Sequence, residues 1–265
     1  MKKVYELWQG NDVPFFDKSI RQKMPAVTAY TLDAKKPVPC VIVCPGGAYS
    51  GLADDHEGKQ ICKFLNKNGI AGFILRYRVA PYHYPCQELD VKRAVRFVRA
   101  NSEKFNVDPN RIGVMGFSAG GHLACMAGMR FDYGIDGGDE VDRFSSRPDS
   151  VCTCYAVASL DKEITHRDTR ENLLGDYDND ELADKLTCEN AVPDDVPPFF
   201  IWHTAADNCV DARCSLRLAN ALAEKKKTFE LHIFPYGDHG LGLAKSTPLA
   251  CAWSDLYIKW LGELK

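Results

Sequence analysis

Residues 113–122 read GVMGFSAGGH, with four glycines and one alanine crowded around a single serine, Ser118. Glycine has the most backbone freedom to lose on folding, so such crowding needs a cause. Either the chain turns sharply there or something approaches the backbone closely. The residues just before, 111–115, read as a buried strand, and those after, 122–129 (HLACMAGM), read as a helix. The stretch is therefore a strand that turns abruptly into a helix, with Ser118 at the turn and Gly116 and Gly120 on either side.

Working outward, strand and helix signals alternate. Residues 38–44 (VPCVIVC) form a continuous apolar run and predict a buried strand. Residues 58–68 show helical spacing at Ile61, Phe64 and Leu65 and stop at Gly69. Residues 70–77 predict a second buried strand. Residues 89–105 predict a longer amphipathic helix, with Val91, Val95, Val98 and Phe105 toward the core and Lys92, Arg93, Arg96 and Arg99 toward water. A turn at Asp108-Pro109-Asn110 follows. Further strands are expected at 150–156, 199–203 and 229–234, with helices at 213–225 and 250–261. Alternation of this kind predicts a mostly parallel sheet covered on both faces, in one α/β domain spanning residues 1–265. The weakly alternating residues 4–34 suggest antiparallel edge strands. Residues 159–198 are polar, acidic and proline-broken toward their end, and predict a small helical insertion over one sheet edge that caps the site and tunes selectivity.

The chain has 265 residues, 45% hydrophobic and 26% charged, with a net charge of -3, which fits a soluble globular protein. No basic field suggests nucleic acid, and the one basic run, Lys225-Lys226-Lys227, reads as the solvated end of a helix. No apolar segment follows the N-terminal lysines, and no run of about 18 apolar residues predicts a membrane span. The 11 cysteines are odd in number, scattered and never spaced CxxC, which points to reduced thiols and a cytoplasmic location. Cys152 and Cys154 would share one strand face, but no second ligand pair accompanies them, so no metal is expected. A homo-oligomer is left open.

A serine at a strand-to-helix turn with glycine two residues before and after has the form of a nucleophile elbow. Its hydroxyl needs a base. His239, in the glycine-bracketed Tyr236-Gly237-Asp238-His239-Gly240 after the last strand, is the best placed. His203, at a strand end, reads as structural, His122 would point away from Ser118, and His56 is the only other histidine expected near the site. The imidazole in turn needs an acid to fix its tautomer. Asp207, after the 199–203 strand, is the candidate, with Asp211 the rival; Asp238 is too close in sequence to reach the ring. Small residues after the 38–44 strand, Pro45-Gly46-Gly47-Ala48-Tyr49, can turn N–H groups toward a ligand. Gly47 and Ala48, with Ala119, are the candidate oxyanion donors.

Over nearly its whole length the chain resembles the α/β-hydrolase superfamily, and within it the small esterase/lipase group that contains acetyl-xylan and feruloyl esterases. The resemblance is carried by residues 44–49 (CPGGAY), 77–81 (YRVAP), 111–122 and 237–240 (GDHG). It implies Ser118 as nucleophile, Asp207 as acid, His239 as base and an oxyanion loop at Gly47 and Ala48, with no cofactor. It also implies short acyl esters of sugars, notably acetylated xylo-oligosaccharides, as substrates. Tyr49, Tyr82 and Tyr84 are candidates to stack on a sugar ring, with core packing the alternative. Two features depart from the pattern. Ala48 stands where many relatives have a third glycine, which a negative φ would accommodate. Val210-Asp211 stands where relatives often have Val-Pro. The rival functions are a prolyl-oligopeptidase-like peptidase, for which the chain lacks room for the accessory domain, and an inactive binding protein.

Overall fold

Strands β1 (Lys2–Glu6), β2 (Ala26–Tyr30), β3 (Val38–Cys44), β4 (Ala71–Arg76), β5 (Val107–Phe117), β6 (Ser150–Cys154), β7 (Phe199–Thr204) and β8 (Phe229–Phe234) form one eight-stranded sheet in the order β1-β2-β4-β3-β5-β6-β7-β8. This is a computed structural model that describes residues 2–8 and 13–264. The helices are α1 (Gln60–Lys67), α2 (Cys86–Ala100), α3 (Ser102–Phe105), α4 (Ala119–Met129), α5 (Arg167–Leu174), α6 (Asp180–Leu186), α7 (Arg213–Glu224) and α8 (Trp253–Glu263). The pairs β1–β2 and β2–β4 are antiparallel and the other pairs are parallel. The antiparallel edge matches the expectation for the N-terminal stretch, of which residues 9–12 lie outside the described residues. Among the described residues no helix is long and apolar enough to cross a membrane.

Strand side chains alternate between two cores, as a two-residue repeat requires. Cys40, Ile42, Ile112, Val114, Phe199 and Ile201 face the layer containing α2, α4 and α7. Val41, Val43, Met115, Phe117, Phe200 and Trp202 face the layer of α1 and α8. Cys152 and Cys154 do share a face, with sulfurs 3.8 Å apart, both buried in this second core. The turn expected at Asp108-Pro109-Asn110 lies inside β5 as a bulge: β3 advances from Val38 to Cys40 while β5 advances from Val107 to Ile112. The Asn110 N–H closes it on Asp108 Oδ1 at 2.9 Å.

The strand order decides where a site can form. From β3 the chain crosses to β4 on one side, then returns past β3 to β5 on the other. The loops leaving the C-terminal ends of β3 and β5 therefore diverge and leave a crevice, the place where open parallel sheets take ligands. Residues 45–53 and Ser118 lie at that crevice.

Two expectations change. The basic face of α2 is not wet: Arg93 and Arg96 are each 3% exposed. The loop between α4 and β6 lays its acids over them. Arg93 pairs with Asp139 and, at 2.8 Å, with Asp142, and its Nε donates to the Leu7 carbonyl; Arg96 pairs with Asp132. Arg99 reaches Asp149 at 3.0 Å. Truncating a buried, paired guanidinium leaves its partners uncompensated. Arg93→Ala is expected to lower stability by about 2 kcal/mol, less than a fully buried pair because Asp139 is half exposed. In a thermal melt this should appear as a fall of about 4–8 °C.

The second change concerns residues 159–198. They leave from β6, inside the sheet and not at its edge. Helices α5 and α6 settle beside α4 and α7, with the Leu186 carbonyl held by His122 Nε2 at 2.9 Å. The Asn172 side chain reaches the Ala48 carbonyl at 2.9 Å, so the insertion touches the loop after β3 directly.

Candidate active site

Ser118 sits between β5 and α4 with φ 55° and ψ -121°, a backbone conformation a serine adopts only at a cost. The turn is held by its N–H to the Cys154 carbonyl at 3.0 Å, while its carbonyl accepts from Gly121, His122 and Val157. The flanking glycines are needed for close approach. A Cβ at Gly116 would lie 1.9 Å from the Gly120 carbonyl oxygen, and one at Gly120 would lie 2.2 Å from that of Cys44. Strand, helix and the neighbouring β3 loop are in backbone contact here, which accounts for the glycine crowding around the serine.

His239 Nε2 lies 2.8 Å from Ser118 Oγ, and His239 Nδ1 lies 2.8 Å from Asp207 Oδ2. A carboxylate only accepts, so Nδ1 carries the proton and Nε2 presents its lone pair to the serine hydroxyl. The imidazole is 18% exposed and the Asp207 side chain fully buried. Burial alone would raise the Asp207 pKa. Four donors overcome it: His203, His239 and the N–H groups of Val210 and Cys209 together hold the carboxyl well below the usual carboxylate range. The two N–H groups bond Oδ1, each at 2.9 Å, leaving Oδ2 for the two imidazoles. Asp211 is occupied elsewhere, by the Arg213 N–H and guanidinium at 2.8 Å. Asp238 is exposed.

His203 does more than fill the core. Its Nδ1 accepts from Ser215 Oγ at 2.8 Å, which turns Nε2–H toward the Val210 carbonyl at 3.1 Å and Asp207 Oδ2 at 3.3 Å. It therefore steadies the acid at the same oxygen that His239 uses. Its position four residues before Asp207 at a strand end was the available signal. His122 is fully buried and bonds Tyr49 and Leu186, away from Ser118. His166, on the insertion, has its imidazole held below the ordinary range by burial, a trend that Asp168 opposes and the nearby His239 reinforces.

The loop after β3 is fixed peptide by peptide. The Gly46 carbonyl accepts from Ala53 N–H at 2.9 Å; the Gly47 carbonyl accepts from Ser50 and Gly51 N–H at 2.9 and 3.0 Å; the Ala48 carbonyl accepts from Asn172. In a trans peptide N–H points opposite to C=O. Tying down the Gly46 and Gly47 carbonyls thus aims the Gly47 and Ala48 N–H groups the other way. Among the described residues neither these N–H groups nor that of Ala119 has a hydrogen-bond acceptor. Gly47, at φ 135°, must be glycine, since a Cβ would lie 2.3 Å from the Gly51 carbonyl oxygen. Ala48 does not have the negative φ expected of a methyl-bearing residue. It lies at 50° and Tyr49 at 55°, two successive left-handed residues held by these bonds.

Two of the three tyrosines, Tyr49 and Tyr82, are corrected as well. Tyr49 is fully buried, its hydroxyl 2.9 Å from His122 Nδ1, and so has no face for a sugar. Tyr82 is 6% exposed and bonds the Asp17 backbone through its hydroxyl, with Arg78 over its ring. Tyr84 is half-buried and bonds Arg130, just past the end of α4.

The parallel sheet, the crevice at its switch point and a serine lifted between β5 and α4 define an α/β-hydrolase fold. Residues 29–222 match the family model described as BD-FAE, and the chain belongs to that family. It is 35% identical over 243 residues to endo-1,4-beta-xylanase B of Butyrivibrio fibrisolvens, covering 90% of this chain and 38% of that protein. It is 32% identical over 206 residues to an acetylxylan esterase of Xylanibacter ruminicola, covering 76% of this chain and 41% of the other. The chain thus spans well under half the length of these curated relatives. Among solved structures it superposes on an acetyl ester-xyloside bifunctional hydrolase from Caldicellulosiruptor lactoaceticus with a TM-score of 0.95, at 46% identity over 98% of this chain and 95% of that one. The carboxylesterase Cest-2923 from Lactobacillus plantarum shares the fold at 22% identity and a TM-score of 0.79, over 99% and 96% of the two chains.

Proposed function

We propose that the chain is a serine carboxylic-ester hydrolase acting on short acyl esters of sugars, with acetylated xylo-oligosaccharides the foremost candidates. The observation that carries this reading is the relay from Asp207 through His239 to Ser118, beside backbone N–H groups that have no acceptor among the described residues. In this reading Ser118 Oγ attacks the acyl carbon as its proton passes to His239 Nε2. Negative charge gathers on the former carbonyl oxygen, where the N–H groups of Gly47, Ala48 and Ala119 receive it at the start of α4. The tetrahedral adduct collapses, the C–O bond to the alcohol breaks, and the imidazolium returns its proton to the departing oxygen. Water then gives a proton to His239 and its oxygen to the acyl group, freeing the carboxylic acid and restoring the serine.

The names of the similar proteins support acetyl esters on xylan-derived sugars. Residues 159–198 act as a cap in this reading, bounding the crevice on the side of His166, within one unit of residues 1–265. The 11 cysteines, all free thiols and mostly buried, support a reducing compartment, the cytoplasm. The peptidase alternative would require amide turnover.

The test is a substrate panel of p-nitrophenyl acetate, butyrate and octanoate, a peptide anilide and acetylated xylo-oligosaccharides. The expected result is acetate release from the oligosaccharides and a kcat/KM for the acetate ester at least about 10-fold above the octanoate, the discrimination a small acyl pocket can exert. Preferential cleavage of the anilide, or no acetate released from any sugar ester, would overturn the substrate assignment.

A further inference from the structure

Glu57 is a buried carboxylate that the relay above does not use. It lies in a single wide helical turn, Asp55–Lys59, ahead of α1, and is 2% exposed. A carboxylate taken out of water needs donors in return. Glu57 finds them on two loops that are far apart in sequence. Its Oε2 accepts the Gly46 N–H at 2.8 Å, and its Oε1 accepts the Tyr155 hydroxyl at 2.7 Å. The packing on the first side is tight: a Cβ on Gly46 would stand 2.7 Å from Oε2 and 2.9 Å from the Ser118 Cβ.

Tyr155 continues the connection. It follows β6 at φ 38°, and its ring stands edge-on to the His239 imidazole with centroids 4.9 Å apart. Its hydroxyl, donating to Glu57, accepts the Gly242 N–H at 2.9 Å, and the Gly242 carbonyl accepts from Trp253 Nε1 at 3.1 Å. Burial, and then the charge of Glu57, push the phenol well above its ordinary value, so the proton stays on the hydroxyl. One carboxylate thereby ties together the loop after β3, the turn after β6 and the loop after β8. These carry the oxyanion donors, the ring beside the imidazole, and His239 itself.

We infer that Glu57, through its two hydrogen bonds to Gly46 and Tyr155, is a positioning residue that sets the oxyanion loop and the His239 loop in register over Ser118. The inference rests on the serine-hydrolase reading and adds a component to it. The chemistry requires a carboxylate. Two donors converge on its two oxygens, and glutamine would meet one of them with an NH2 group. The bonds run to a backbone N–H and a tyrosine hydroxyl and not to substrate, so their loss alters alignment and leaves substrate contact largely intact. Misplacement of about 1 Å at a reacting centre can cost on the order of 100-fold.

The experiment compares Glu57→Gln, Tyr155→Phe and the double variant on p-nitrophenyl acetate, with thermal melts of each. Glu88→Gln serves as a control, being a buried glutamate that pairs with Lys92 and Arg130 away from the crevice. Glu57→Gln is expected to lower kcat by about 10- to 100-fold with KM within about 3-fold of the parent. Tyr155→Phe keeps the ring against His239, breaks the bridge and should lower kcat in the same sense. The two losses should not multiply in the double variant, because they break one connection. Glu88→Gln should lower the melting temperature while kcat holds. Wild-type kcat in Glu57→Gln, or kcat losses matched by Glu88→Gln at equal loss of melting temperature, would overturn the assignment. If Glu57→Gln does not fold, Tyr155→Phe decides the matter alone. Turnover that persists in Ser118→Ala defeats the underlying serine reading instead, whereas an inactive Ser118→Ala beside a fully active Glu57→Gln defeats only the role of Glu57.

Discussion

Ser118→Ala is expected to lower kcat on p-nitrophenyl acetate by about 10⁶-fold and to abolish covalent labelling by a fluorophosphonate. The substitution removes one oxygen. The turn itself is held by the Ser118 N–H and carbonyl, which alanine retains, so the variant should fold and melt close to the parent. What remains is His239 facing a methyl group beside the proposed oxyanion donors, an arrangement that can only assist water weakly. Mass spectrometry of the labelled parent should place the phosphonate on the peptide containing Ser118. Labelling at full strength in the alanine variant would remove Ser118 as the nucleophile.

Asp207→Asn is expected to lower kcat by about 10⁴-fold, while Asp211→Asn stays within about 2-fold of the parent. The asymmetry follows from hydrogen positions. An amide at 207 can turn its NH2 toward Nδ1, which then accepts and leaves the ring proton on Nε2, facing the serine with no lone pair to offer. The Asp211 carboxylate bonds the Arg213 N–H and guanidinium and neither imidazole of the relay. Equal losses in both variants, or a loss confined to Asp211→Asn, would refute the assignment. The same residue shapes acid stability. Its folded pKa is depressed, so its contribution is complete above the unfolded value of about 3.9 and is lost as pH falls below it toward the folded value. The parent should therefore lose stability more steeply than Asp207→Asn below about pH 4, read by thermal melts across that range.

What the sequence disclosed was what local physics controls. The apolar run Val38–Cys44 is a strand within the bounds its composition suggests, because a buried parallel strand needs no partner pattern to be recognised. The turn at Ser118 was legible because its glycines answer to a local clash. His239 and Asp207 were reachable because chain order in a parallel sheet dictates which loops share one end. Partnerships set by long-range packing were hidden. Arg93 and Arg96 looked like a wet face because nothing near them in sequence announces the acids of residues 132–142 that cover them. Tyr49 sits beside the crevice in sequence but turns inward, a consequence of the left-handed backbone at Ala48 and Tyr49. Glu57 lies in Asp54-Asp55-His56-Glu57-Gly58, a stretch whose polarity reads as surface. Only the converging Gly46 and Tyr155 donors mark it as interior.

The bond from Asn172 to the Ala48 carbonyl has a consequence for protein engineering. Grafting a different 159–198 segment to retune selectivity would exchange one of the clamps on the proposed oxyanion loop along with the proposed cap. Chimeras that omit an amide side chain at this point should be slow on every ester, including those their new cleft accommodates well. Transplanting the asparagine together with its surroundings would keep recognition and reactivity separable.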